Sequence, residues 1–127
     1  LTTREFLQET RRKLRKGGVV AANILAPYRN KFFEAMLATY QAEFPQVYVF
    51  RGEQSANFIF IATPAERRLD QDLLLSRLEE IDNRRGFDFN LARTLLKYEP
   101  PRNTPDSARI LTDDFSPVNL YRHMEAN

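Results

Sequence analysis

The sequence of 127 residues predicts an α/β fold, and three successive patterns carry that prediction. A capped helix leads through a glycine pair into an apolar run, LTTREFLQETRRKLRKGGVVAANIL. A second stretch with helical spacing follows it. Two β-branched, aromatic runs separated by a polar loop come next. Strand, crossover helix and antiparallel pair are the parts of a sheet covered by helices.

In the first stretch, Thr2 and Glu5 have the T-x-x-E spacing of a capping box. Phe6, Thr10 and Leu14 lie four residues apart, and Leu7 and Leu14 seven apart, so one side of this helix is expected to face a core. Gly17 and Gly18 are expected to end it, since glycine enters a left-handed cap without steric cost. Val19 to Leu25 is apolar apart from Asn23, a pattern that suits a strand buried on both faces of a parallel sheet. Helix, glycine pair and buried strand make half of an α/β unit, so a preceding segment is expected.

Pro27 and Tyr28 open a turn, and a helix is expected from about Asn30 to Phe44. Phe33, Met36, Leu37, Tyr40 and Phe44 form its core stripe, and Pro45 ends it. Val47–Phe50 and Phe58–Thr63 read as strands around the loop Arg51–Asn57, which can join antiparallel neighbours. Asp70 is an N-cap candidate for a helix to Arg84 that presents Leu74, Leu78 and Ile81, with Gly86 beyond its end. A further helix is expected from Asp88 to Tyr98, with Leu91 and Leu95 four apart. Residues 100–107, PPRNTPDS, are linker-like, and the tail from Arg109 to Tyr121 is a short apolar run followed by an acidic turn. There is no internal repeat.

Composition bounds the function. At 127 residues with 43% apolar content the chain fits one domain with a modest core. A net charge of +2 is too near balance to argue for nucleic acid. No apolar run approaches the ~18 residues of a membrane span, so no membrane contact is expected, and LTTREF does not open like a signal peptide. The lack of cysteine excludes disulfides and thiolate chemistry and fits a reducing, cytoplasmic setting. One histidine, His123, excludes a multi-histidine metal site; it reads as a solvated tail residue. The cluster Arg11, Arg12, Lys13, Arg15 and Lys16 favours the negative end of a helix dipole. Leu1 in place of an initiator Met suggests a processed, truncated or sub-cloned piece.

Three segments sit at consistent spacings: L-T-T-R-E-F-L-x6-L-R-K-G-G-V-V, then F-P-Q-V-Y-V-F with N-F-I-F-I-A, then I-L-T-D-D-F-S-P-V. Together they resemble the C-terminal half of spermidine-synthase-like proteins (polyamine aminopropyltransferases), over nearly the whole chain. The resemblance implies the class I methyltransferase version of the Rossmann-like sheet, seven strands with the last antiparallel. Val19–Leu25 would be its fifth strand, Val47–Phe50 its sixth and Phe58–Thr63 its seventh, in spatial order 5-7-6, with additional C-terminal helices. Residues 1–127 would then form a single partial domain, 1–64 as half of the sheet and 65–127 as a helical extension with the L-T-D-D tail. Ser116 and Asn119 depart from the family, which commonly has Ala and an acidic residue there.

By the same resemblance, the parent reaction moves an aminopropyl group from decarboxylated S-adenosylmethionine to a small cationic amine, and methylthioadenosine leaves. Methyl transfer from S-adenosylmethionine is the close variant. The family's glycine-rich turn, ribose-binding acid and acidic catalytic loop would all precede Leu1. No G-x-G occurs here, so this chain is expected to bind no cofactor and to supply no catalytic residue or metal ligand.

The candidate substrate-binding residues are few. Asp113 and Asp114 are paired carboxylates that can hold a polyamine or raise one another's pKa, although an acidic pair before Phe-Ser-Pro is also an ordinary turn. Thr2 and Thr3 would follow the family's catalytic loop, where open α/β sheets bind ligands; capping is the competing role for Thr2. Glu53 and Gln54 lie where polyamine-making relatives place amine-binding side chains. Asn23, polar in an apolar strand, needs a hydrogen-bond partner, and backbone is the favoured one. The alternative to a transferase is a non-catalytic assembly or dimerisation domain. In either case the open edge of Val19–Leu25 is expected to pair with a second copy or with the missing N-terminal half.

Overall fold

The computed structural model describes residues 2–101 and 103–116. In chain order the elements are α1 (Arg4–Lys13), β1 (Val20–Leu25), α2 (Phe33–Glu43), β2 (Gln46–Arg51), β3 (Asn57–Thr63), α3 (Gln71–Arg85) and β4 (Tyr98–Glu99). Turns of 3-10 helix precede α2 at Pro27–Arg29 and precede β4 at Leu91–Lys97.

The strands form one sheet in the order β1-β3-β2-β4. β3 lies between β1 and β2 and is antiparallel to both, so β1 and β2 run parallel to one another. Opposed residues share a face, and this register sorts the sheet. Val20 and Val47 flank Ala62, Ala22 and Val49 flank Phe60, and Ile24 meets Phe58. These residues pack with Leu7 of α1 and with Phe33, Met36, Leu37 and Tyr40 of α2. The ring of Phe60, fully buried at 0% exposure, meets Phe33 at 5.4 Å and Tyr40 at 5.6 Å, both edge-on. Burial also raises the pKa of the Tyr40 phenol above its usual 10.0.

The first helix differs from its expectation in three ways. Its N-cap is Thr3, whose hydroxyl accepts from the Phe6 N–H at 3.4 Å, and Glu5 accepts instead from the backbone of Asp113 at 3.0 Å. Thr2 and Glu5 therefore form no capping box. The helix turns Leu7 inward, leaving Phe6 39% exposed. Glu43 sets that rotation: it accepts from Arg4 Nε at 2.8 Å and Gln8 Nε2 at 3.3 Å, while its carbonyl accepts from Arg11 at 2.7 Å. The helix also ends at Lys13, ahead of the glycines. Gly17, with φ of +79°, forms a tight turn closed by the Gly18 N–H to the Arg15 carbonyl.

β1 is not buried on both faces. Its residues alternate, with Ile24 buried and Ala21, Asn23 and Leu25 exposed. Asn23 thus points outward and needs no buried partner. The second helix starts at Phe33, after the 3-10 turn, and the strands and loop of residues 46–63 match the expected antiparallel pair. The Asp70 carboxylate caps α3 at 2.8 Å, and Gly86 closes it with φ of +62°. Ile81, however, is 40% exposed rather than packed. The helix expected from Asp88 to Tyr98 is instead the Leu91–Lys97 3-10 turn followed by β4, whose Tyr98 and Glu99 pair with Phe50 and Val49.

The tail closes the inner layer. Leu111, fully buried, receives the Arg4 N–H on its carbonyl at 2.7 Å and gives its own N–H to Thr39 Oγ1 at 2.9 Å. Asp113 and Asp114 form the tip of a tight turn between Thr112 and Phe115, as the acidic-turn reading expects. Asn119 and His123 lie outside the described residues.

Candidate functional site

Beside the Glu43 network that fixes α1, two places among the described residues bring sequence candidates together with other polar side chains, and they lie on opposite faces of the sheet. On the helix-covered face, the start of α1 collects Thr2, Thr3, Glu5 and the tail turn with Asp113 and Asp114. The orphan amides of a helix N-terminus need acceptors. Here the acceptors are the chain's own: Thr3 Oγ1 takes the Phe6 amide and the Leu111 carbonyl takes that of Arg4. Thr3 is buried, whereas Asp113 and Asp114 are exposed. Glu5 already holds the Asp113 amide, so this corner is a tie between the tail and α1.

The second place is a cleft of about 670 Å³ on the outer face. Its floor is Phe50 of β2 with Ile59 and Ile61 of β3, which the register sets on the face opposite Phe60. The 3-10 turn and the two residues before it form its wall, bringing in Phe89, Asn90, Arg93, Thr94, Leu96 and Lys97. The sheet holds this wall through β4 and through Arg68, whose guanidinium lies 4.5 Å over the Tyr48 ring and donates to the Tyr98 hydroxyl at 2.9 Å. The third side is the loop between β2 and β3. The Ala26 amide binds the Ala56 carbonyl at 2.8 Å, which fixes this loop at the carboxyl ends of β1 and β2.

Of the sequence candidates, Glu53 lines this cleft. Gln54 sits in the same loop with a left-handed φ of +54°, and Asn23 lies on the same face of the sheet beside Ile59. Thr2, Thr3, Asp113 and Asp114 belong to the other face. The seven candidates therefore do not converge on one site. The cleft's own cations, Arg51, Arg93 and Lys97, were missed because they come from segments some 40 residues apart that no short motif joins. Arg51 is paired with Glu99 at 2.6 Å. Arg93 and Lys97 have no carboxylate partner among the described residues.

The glycines serve the chain's own turns and caps. A side chain at Gly17 or Gly86 would meet open space, and one at Gly52 would meet Ser55 and Asn57 of its own loop. These are turn and cap glycines, not a glycine-rich phosphate or ribose turn. Among the described residues there is no cluster of three or more potential metal ligands, and no helix is long and apolar enough to cross a membrane.

The fold is thus a four-stranded antiparallel sheet with α1 and α2 packed on one face and a partly open cleft on the other. The chain is 32% identical, over 129 aligned positions, to the polyamine aminopropyltransferase of Vibrio vulnificus (strain CMCP6). That alignment covers 96% of this chain and 40% of that protein, so the chain spans less than half the length of its relative. The resemblance to spermidine-synthase-like proteins therefore extends over nearly every residue described here. No family model and no solved structure matches the chain.

Proposed function

We propose that this chain is the part of a spermidine-synthase-like transferase that carries the fifth, seventh and sixth strands of a methyltransferase-type sheet, as β1, β3 and β2. The observation that carries the reading is the 32% identity sustained over 96% of the chain. It is supported by the placement of β3 between two strands that it opposes in direction. On this reading the parent protein transfers an aminopropyl group from decarboxylated S-adenosylmethionine to an amine. These 127 residues contribute the scaffold rather than the reacting groups. Glu53 and Gln54, at the carboxyl ends of β1 and β2, are the residues best placed to approach an amine.

The 127-residue chain should consequently not bind the nucleoside. Its melting temperature should stay within about 1 °C when decarboxylated S-adenosylmethionine or S-adenosylmethionine is added in excess, because only a ligand that binds the folded state stabilises it. A rise of several degrees would show a nucleoside site within these residues and overturn the division of labour.

The assembly function rests on one specific observation. Among the described residues β1 pairs with β3 alone, and its flanks Val19 and Leu25 are 52% and 51% exposed. An open apolar edge recruits another strand. In the reading above, that strand is the fourth of the same sheet; for the chain alone it is a second copy. Light scattering at micromolar concentration should then report a dimer or larger, and a stable monomer would count against the open-edge account.

A further inference from the structure

The floor and the cationic wall of the outer cleft have a chemistry that the transferase reading, which draws only on Glu53 and Gln54 of the neighbouring loop, does not use. Its floor, Phe50, Ile59 and Ile61, is apolar, and the Phe89 ring stands 59% exposed beside it, stacked at 5.2 Å on Phe87. Two cations without carboxylate partners among the described residues, Arg93 and Lys97, stand on one wall. Glu53 is the carboxylate that lines the opposite, loop side. A volume of about 670 Å³ is that of a small-molecule site, and an apolar body with a few polar groups is how such sites are built. That wall repels a dication such as a diamine, which leaves the loop side, at Glu53, as the end an amine approaches. A peptide added as a strand is disfavoured too, because β4 already occupies the edge of β2 at Val49 and Phe50.

We propose that this cleft binds a small organic anion with a planar apolar body. The ring system lies on Ile59 and Ile61 against Phe89, and the acidic group is directed to Arg93 and Lys97. Charge complementarity fixes that orientation, since Glu53 repels an acid at the other end. The proposal does not rest on the transferase assignment: it is argued from the floor and the cationic wall of the cleft, whereas that assignment draws on the loop.

The test is a titration of the 127-residue chain with the fluorescent anion 8-anilinonaphthalene-1-sulfonate, alongside its uncharged relative N-phenyl-1-naphthylamine. Backbone amide NMR shifts map where each binds. The anion should bind with a Kd below about 100 μM and shift residues 50–53, 59–61 and 89–97. Replacing both cations (Arg93→Gln with Lys97→Gln) should weaken the anion about fivefold or more while leaving the uncharged probe unchanged, as two partly screened pairs allow. Glu53→Gln, at an exposed loop residue with no hydrogen bond or ion pair among the described residues, should tighten the anion about twofold. No binding, equal loss for both probes, or shifts confined to residues 19–25 at the open strand edge would overturn the proposal.

Discussion

Replacing Phe60 by alanine should cost about 3–5 kcal/mol, the range for an aromatic side chain deleted from a packed core. Phe60 sits at 0% exposure on the central strand and is the ring that both Phe33 and Tyr40 meet edge-on. The helices above it cannot collapse into the space, because Ala22 and Val49, its cross-strand neighbours, are held in register on either side. Small domains are stable by only about 5–15 kcal/mol, so this one change should remove a large fraction of the total. Urea denaturation followed by circular dichroism reads it directly. A loss under about 1 kcal/mol would mean that β3 is not the centre of the core.

The second large effect is expected at the tail. Leu111→Ala should cost about 2–5 kcal/mol, since the side chain is fully buried in the layer between α1 and α2. A companion change separates packing from tethering. Thr39→Val keeps the volume but takes away the hydroxyl that accepts the Leu111 amide at 2.9 Å and donates to the Ala35 carbonyl at 2.6 Å. Leaving that amide buried and unpaired should cost about 1–3 kcal/mol. Hydrogen exchange at the Arg4 amide, which binds the Leu111 carbonyl, should accelerate in both variants. Unchanged protection at Arg4 would show that the tail does not hold the start of α1.

Local chemistry was legible in the sequence where one residue decides it. Asp70 and Gly86 bracket α3 because a carboxylate caps three residues ahead and a left-handed residue favours glycine. The two central strands stood out because β-branched and aromatic residues crowd both. Legibility failed where a distant partner chooses. Spacing alone could not choose between Phe6 and Leu7, because the helix is turned by Glu43, more than thirty residues away. The run Val19–Leu25 reads as buried on both sides, yet its outer face presents small Ala21, polar Asn23 and an exposed Leu25. The Leu91–Lys97 turn passed for a helix because Leu91 and Leu95 share a four-residue spacing, and two-residue β4 is too short to leave a pattern.

The candidate site divides in the same way. Glu53 was placed by its loop, and the structure brings it to the cleft. Arg93 and Lys97 meet it there only because Arg68 and β4 dock residues 89–99 onto the sheet, a long-range event with no local signature. Thr3 carried a helix-capping signal one residue away from where the capping box put it.

As proposed above, these residues would belong to an aminopropyl-transferring protein. The most direct measurement is chromatographic detection of methylthioadenosine released from decarboxylated S-adenosylmethionine by the protein that carries this chain, with and without a diamine. The account predicts diamine-dependent release, with none when S-adenosylmethionine replaces its decarboxylated form. Release of S-adenosylhomocysteine from S-adenosylmethionine, or no turnover of either nucleoside, would contradict it.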